Sequence, residues 1–145
     1  MDETQHQRRI GRNIGAVLAG MIAGIVLSLG TDLLMQVIGL LPPLGQRASD
    51  GSLMAATIYR TVYGVLGAYL TARLAPSRPM LHALVLGALG LVASTAGAAA
   101  TWNRGPAFGP HWYPLALIVL AMPTAGVGGK LREAQISSGT VQVRP

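Results

Sequence analysis

Two residues of this chain are out of keeping with their surroundings. Asp32 lies in an apolar run that begins NIGAVLAGMIAGIVLSLG and continues through TDLLMQVIGLL; Arg60 lies in ATIYRTVYGVLGAYLTARLAP, residues 56–76. On insertion scales a charge near the centre of a bilayer costs about 2.5–3.5 kcal/mol, so charges kept there face inward, pair, or line an ion or substrate path. That leaves two chemistries. Asp32 and Arg60 form an ion pair that fixes helix register, or, with Gln36, Tyr59 and Tyr63, they line a polar cavity for an ion, a proton or an anionic headgroup. A second group sits in TWNRGPAFGPHWYP, residues 101–114, where Trp102, Asn103, Arg104, His111 and Trp112 offer hydrogen-bonding and stacking groups. Those residues suit an interfacial anchor, a lid over the charged pair, or a docking site for a partner.

The elements that must position these residues follow from hydropathy. The chain has 145 residues, the size of one domain, and is 51% hydrophobic but only 11% charged. A soluble domain carries about 25% charged residues, so there is too little charge here to cover a water-exposed surface. Four apolar runs stand out, at about 13–41, 53–74, 80–100 and 112–131. A spanning helix needs roughly 20 apolar residues; the last three runs fit that length and the first must tilt or extend beyond the lipid. Pro42-Pro43, APSRP at 75–79 and GPAFGPHWYP at 105–114 break the runs, because proline lacks an N–H and fixes its φ. The expected fold is all-α, a four-transmembrane-helix bundle over 13–132. A tail at 1–12 precedes it, and a polar tail at 133–145, expected to be disordered, follows. The first run is too long for the apolar part of a cleaved signal and contains Asp32, so it is expected to be a permanent helix.

Charge placement sets the orientation. Arg8, Arg9, Arg12, Arg73, Arg78, Lys130, Arg132 and Arg144 fall on one side of a four-pass arrangement, and only Arg47 and Arg104 on the other. By the positive-inside rule both termini are cytoplasmic, with Trp102, Phe108, Trp112 and Tyr113 at the outer boundary. Arg60 is then roughly 10 Å and Asp32 about 13 Å below the outer surface at helical rise, close enough in depth to pair across a hairpin. Helical spacing gathers Ala56, Thr57, Tyr63, Gly64, Gly67 and Thr71 around Arg60, and Ser28, Gln36 and Gly39 around Asp32. The third run offers a stripe of Ala83, Gly87, Gly90, Ser94, Gly97 and Thr101, and the first contains Gly11-x-x-x-Gly15 and Gly20-x-x-x-Gly24. Small residues let membrane helices approach closely.

Several chemistries are not supported. With no cysteine, disulfides, thiolate metal sites and cysteine nucleophiles are excluded. GVGGKLR at 126–132 resembles a phosphate loop, but Thr124 stands where its first glycine belongs and Leu131 where the magnesium-binding Ser or Thr belongs. It reads instead as a helix end at the cytoplasmic interface. His6, His82 and His111 are dispersed, so no metal or cofactor is expected, and no nucleophile–base pair points to an enzyme. The net charge of +6 sits at the membrane boundary, which argues for lipid and against nucleic acid. Pro123, beside Met122 and Gly126, is expected to kink the fourth helix.

The segments TDLLMQ, YRTVYGVLGAYLTARLAP and WNRGPAFGPHWYPLALIVLAMPTAGVGGKLR resemble those of small bacterial four-helix membrane proteins that have no assigned activity. That resemblance covers about residues 13–132 and implies the architecture and a bacterial origin only; the expected location is a bacterial inner membrane. The chain is also similar in outline to the small multidrug transporters, which have four helices and an acidic residue in the first. It departs from them in having an aspartate in a different sequence setting and a strong charge bias. The expected function is a non-enzymatic membrane subunit or scaffold, packing with copies of itself or a larger membrane partner. The alternative is a small proton- or ion-coupled transporter or channel that uses Asp32 and Arg60.

Overall fold

The computed structural model describes residues 3–43 and 45–141. Four helices follow one another: α1 (Glu3–Val37), α2 (Asp50–Leu74), α3 (Pro79–Thr101) and α4 (Trp112–Val141), with a single 3₁₀ turn at Pro106–Phe108 before α4. There is no strand among the described residues. Three segments, Thr4–Val37, Pro79–Thr101 and Trp112–Gly139, are long and apolar enough to cross a membrane. The exterior agrees with that reading. Val26, Leu33 and Val119 are 61%, 63% and 71% exposed, with large apolar side chains exposed on all four helices. A soluble monomer rarely shows more than a few hundred Å² of contiguous apolar surface.

Helix α2 is not among these three segments; it carries Thr57, Tyr59, Arg60, Thr61 and Tyr63 around its middle, and it touches all three other helices. Of these polar side chains, Thr57 and Thr61 bond back to their own helix, and Tyr59, Arg60 and Tyr63 bond to α1. The loops 38–49 and 102–111 share one end of the bundle, where the Trp112 indole donates to Asp50 Oδ1 at 3.1 Å. The start of α1, the end of α4 and the turn at 75–78 share the other. There Tyr69 on α2 donates to Gln135 on α4 at 2.8 Å. Arg8, Arg9, Arg12, Arg73, Arg78, Lys130 and Arg132 all lie toward this terminal end; Arg144 lies outside the described residues.

Three helix boundaries differ from those the apolar runs suggest. Residues 3–12 are helical and continue straight into α1, because Gln5, Gln7, Arg8 and Arg9 favour helix and no proline interrupts them. At the far end α1 stops at Val37, well before Pro42-Pro43. Gly39 takes φ +78°, its N–H bonds Gln36 O at 3.1 Å and that of Leu40 bonds Met35 O at 2.8 Å. That is a Schellman closure, which needs a residue in the left-handed region. Helix α4 runs on through 133–141, so the described part of the expected disordered tail is helical. No proline interrupts it there, and the Tyr69–Gln135 bond docks its first turn; residues 142–145 lie outside the described residues.

The core is built from the smallest side chains. Ala68 and Ala72 of α2, Ala83 of α3 and Ala125 of α4 are buried together, with Leu86 packed against them. Neighbouring glycines of α4 serve different interfaces, being about 100° apart around the helix. A Cβ on Gly128 would lie 2.6 Å from Val65 O and 2.7 Å from the Ala68 Cβ of α2, and one on Gly129 would lie 2.7 Å from the Met80 Sδ of α3. The GVGGKLR stretch is thus helix interior, and its glycines are contact points between helices. Helices α1 and α2 cross at Gly20, where a Cβ would collide with Thr71 Oγ1 and Gly67 O. Of the two Gly-x-x-x-Gly pairs in α1, Gly20 and Gly24 face α2, while Gly11 and Gly15 have nothing within 4 Å.

Candidate functional site

Near the loop end, antiparallel α1 and α2 bring their polar residues to one level. Arg60 Nη2 lies 2.5 Å from Asp32 Oδ2, and the Tyr59 hydroxyl donates to Asp32 Oδ1. One turn along α2, the Tyr63 hydroxyl and Thr31 Oγ1 are bonded at 2.8 Å, and the Tyr59 and Tyr63 rings tilt against each other with centroids 5.9 Å apart. Both carboxylate oxygens are thus engaged by α2, and the charges of Asp32 and Arg60 cancel. Pairing lowers the cost of holding either charge away from water. The pair is only partly enclosed, with Arg60 33% and Asp32 18% exposed.

Other residues expected around the pair fall differently. Gln36 is one turn beyond Asp32 but makes no hydrogen bond to it among the described residues. Tyr113, at the start of α4 and read from sequence as an interfacial aromatic, lies within electrostatic range of both Arg60 and Asp32 but hydrogen-bonds to neither. Thr31 is a further member that sequence spacing did not single out. Its signal was adjacency to Asp32 on the face that meets α2. Arg60 Nε is buried with no hydrogen-bond partner.

The residues of the 101–114 loop bond mainly to one another. Trp102 and His111 stack with centroids 4.3 Å apart, and His111 Nε2 is 3.0 Å from Trp102 O. The Arg104 guanidinium sits 5.9 Å from the Phe108 ring centroid. Trp112 is spent on Asp50 and makes an edge contact with Tyr113. Asn103 is exposed and has no hydrogen bond among the described residues. This loop is a self-bonded cap on α3 and α4, joined to α2 through Trp112. Among the described residues no group of three or more His, Asp or Glu side chains comes together.

Beside the charged cluster is a cleft of about 440 Å³ to which all four helices contribute, a size within the range of about 300–1,000 Å³ for small-molecule sites. Gly20, Gly24 and Ser28 line it from α1, Arg60 and Gly64 from α2, Gly90 and Ser94 from α3, and Thr124 from α4. It exists because the glycine stripe of α3 is used over only part of its length. Ala83 and Gly87 are tight against Gly129 and Ala125 of α4, whereas Gly90 and Gly97 have nothing within 4 Å. The chain matches no family model, no curated protein and no solved structure.

Proposed function

We propose that this chain is a small, non-enzymatic, multi-pass protein of a bacterial inner membrane, a subunit or scaffold that packs with copies of itself or with a larger membrane partner. In this reading α2 spans the bilayer beside the other three helices and both termini are cytoplasmic. The antiparallel course of α2 between helices apolar enough to span supports its crossing, and the gathering of basic residues at the terminal end supports the orientation. The observation that carries the structural role is the engagement of Asp32: Arg60 and Tyr59 occupy both of its oxygens, which makes the cluster a clamp between α1 and α2. The broad apolar exterior supports contact with lipid and with other membrane helices.

Topology is testable because the chain has no cysteine of its own. Arg47→Cys and Arg104→Cys should react with a membrane-impermeant maleimide on intact cells, and Ser77→Cys and Ser138→Cys only after lysis. Labelling of Ser77→Cys alongside Arg47→Cys on intact cells would mean that α2 does not cross; the reverse pattern throughout would invert the protein. One observation favours a second reading, that of a small proton- or ion-coupled transporter: Arg60 faces both its partner Asp32 and the cleft. Flux into proteoliposomes that is lost on Asp32→Asn would replace the scaffold with that reading.

A further inference from the structure

We infer that the cleft between α1 and α3 is a binding site for an uncharged lipid bearing a hydrogen-bond-accepting carbonyl at one end of an apolar chain. The inference rests on the placement of the helices in a bilayer and goes beyond the scaffold role. It begins with the polarity of the cleft along its length. Measured from the loop end at 1.5 Å per residue, Ser28, Arg60 and Ser94 lie about 10–15 Å down their helices, whereas Gly20, Ala68 and Leu86 lie about 22–27 Å down. The donors therefore share one level, and beneath them the wall is mostly glycine, alanine, leucine and methionine, with the Tyr63 and Thr124 hydroxyls already hydrogen-bonded within the protein.

Most helical hydroxyls of this protein are satisfied within their own helix, the buried Thr71 Oγ1 being an exception. Thr57, Thr61, Thr95, Thr101 and Thr124 each donate to the backbone carbonyl one turn earlier, at 2.7–2.9 Å, the ordinary way for a helical hydroxyl to be satisfied away from water. Ser28 and Ser94 line the cleft and make no hydrogen bond among the described residues. In hydrocarbon an unmet polar group is unfavourable. Two hydroxyls from α1 and α3 and the Arg60 guanidinium thus line one cleft at a similar depth, and donors gathered there call for an acceptor.

Charge then selects the kind of acceptor. Asp32 already neutralises Arg60, so an anionic head would leave a net negative charge in a poorly hydrated site, and a cation would face the guanidinium. An uncharged carbonyl accepts from the donors without altering the balance. The mouth selects the rest of the molecule: Ile25 and Leu29 of α1 and Leu89 of α3 line the cleft with exposed apolar side chains, so in a bilayer it opens onto acyl chains. A mainly apolar cavity of this kind does not hold water well.

The test uses the full-length protein in nanodiscs and a fatty-acid methyl ester with a diazirine near the end of its chain. The free acid and the primary amine of equal length, and a plain alkyl diazirine, serve as comparisons. After irradiation, the ester should mark segments 20–29 and 86–94 more strongly than the acid or the amine. Gly90→Leu, whose side chain enters open space in the cleft, should reduce that labelling by about tenfold, equivalent to about 1.4 kcal/mol. Ser28→Ala combined with Ser94→Ala should lower labelling by the ester and leave that by the alkyl probe unchanged. Equal ester labelling of wild type and Gly90→Leu, or a preference for the acid, would overturn the inference. Alkyl labelling of the exposed Val26 and Val119 positions with no ester label in the cleft would overturn it alone. Absence of alkyl label at those positions would remove the membrane reading as well.

Discussion

The two ends of this bundle are held by different forces. Toward the terminal end, backbones and alanines touch directly: Gly20 against Gly67 and Thr71, Gly128 against Val65 and Ala68, Gly87 against Ala125. Toward the loop end, longer side chains bridge the helices through the Asp32–Arg60–Tyr59 cluster, the Thr31–Tyr63 bond and the Trp112–Asp50 bond. Close backbone contact gains dispersion over many atoms. Bridging by side chains holds helices together at a distance, and the cleft opens there and ends on the contacts at Gly20, Gly67 and Gly87, which line its deep end. One architecture thus gives a rigid base and a more open upper half.

The sharpest way to break the contrast is to put a large side chain into the base. Gly128→Leu must displace Val65 O and the Tyr69 backbone N, both within 2.7 Å of the new Cβ, and neither can move without shifting α2. We expect a loss of more than about 3 kcal/mol, beyond the usual range for overpacking because the obstacle is backbone. Gly126→Leu, two residues earlier with nothing within 4 Å, should stay within about 1 kcal/mol of wild type. Thermal unfolding in detergent, followed by loss of the monodisperse species, distinguishes them; similar melting of both variants would mean that the base is not tightly packed.

The next largest effect belongs to the upper half. Asp32→Asn and Arg60→Gln should each destabilise by about 2 kcal/mol, less than the 3–5 kcal/mol for a fully buried pair because these groups are partly exposed. The double variant should be no worse than either single one, as the cycle of a coupled pair requires. Additive losses would mean that the two side chains act independently and that the upper half is held by other bonds.

What was legible in the sequence divides along the same line. The four helices could be read because apolar runs and prolines report on local hydropathy and backbone. The meeting of Asp32 and Arg60 could be read because depth along antiparallel helices is simple arithmetic. Helix–helix distance could not be read. Gly87 and Gly90 look alike in a stripe, yet one is packed and the other open; Gly11 and Gly20 are equally good small-residue positions, yet only Gly20 meets a partner. Nor did sequence show that Tyr113 approaches the pair, since that depends on how the 102–111 loop returns α4 to α2. The stop at Gly39 was legible in principle, but the two prolines just beyond it gave a louder signal.

A smaller test concerns the entry to α2 at the loop end. Ser49 Oγ accepts from Ser52 N at 3.2 Å, and the Ser52 hydroxyl donates to Leu40 O at 2.7 Å, so one cap starts α2 and ties it to the segment after α1. Ser49→Ala should lower stability by about 1 kcal/mol, the typical cost of losing such a cap. Ser49→Gly should recover most of that by keeping the cap's backbone geometry. If both variants melt like wild type, the loop segment contributes nothing to holding the upper half together.

The smallest effect is also the most local probe of where the halves meet. Gly87 and Gly90 are less than one turn apart on α3. A Cβ on Gly87 would lie 2.5 Å from the Ala125 Cβ, while one on Gly90 meets nothing within 4 Å. Alanine is a better helix former than glycine by about 1 kcal/mol, so Gly90→Ala should stabilise the protein by about 0.5 kcal/mol once partial ordering of the unfolded chain in detergent is allowed for. Gly87→Ala should destabilise, because α3 would have to lift from α4 to admit one methyl group. Opposite signs at these two positions, measured by chemical unfolding in the same detergent, would locate the point at which α3 leaves its neighbours and the cleft begins. Destabilisation at both would mean that α3 stays packed past Gly90 and that the cleft is closed in solution.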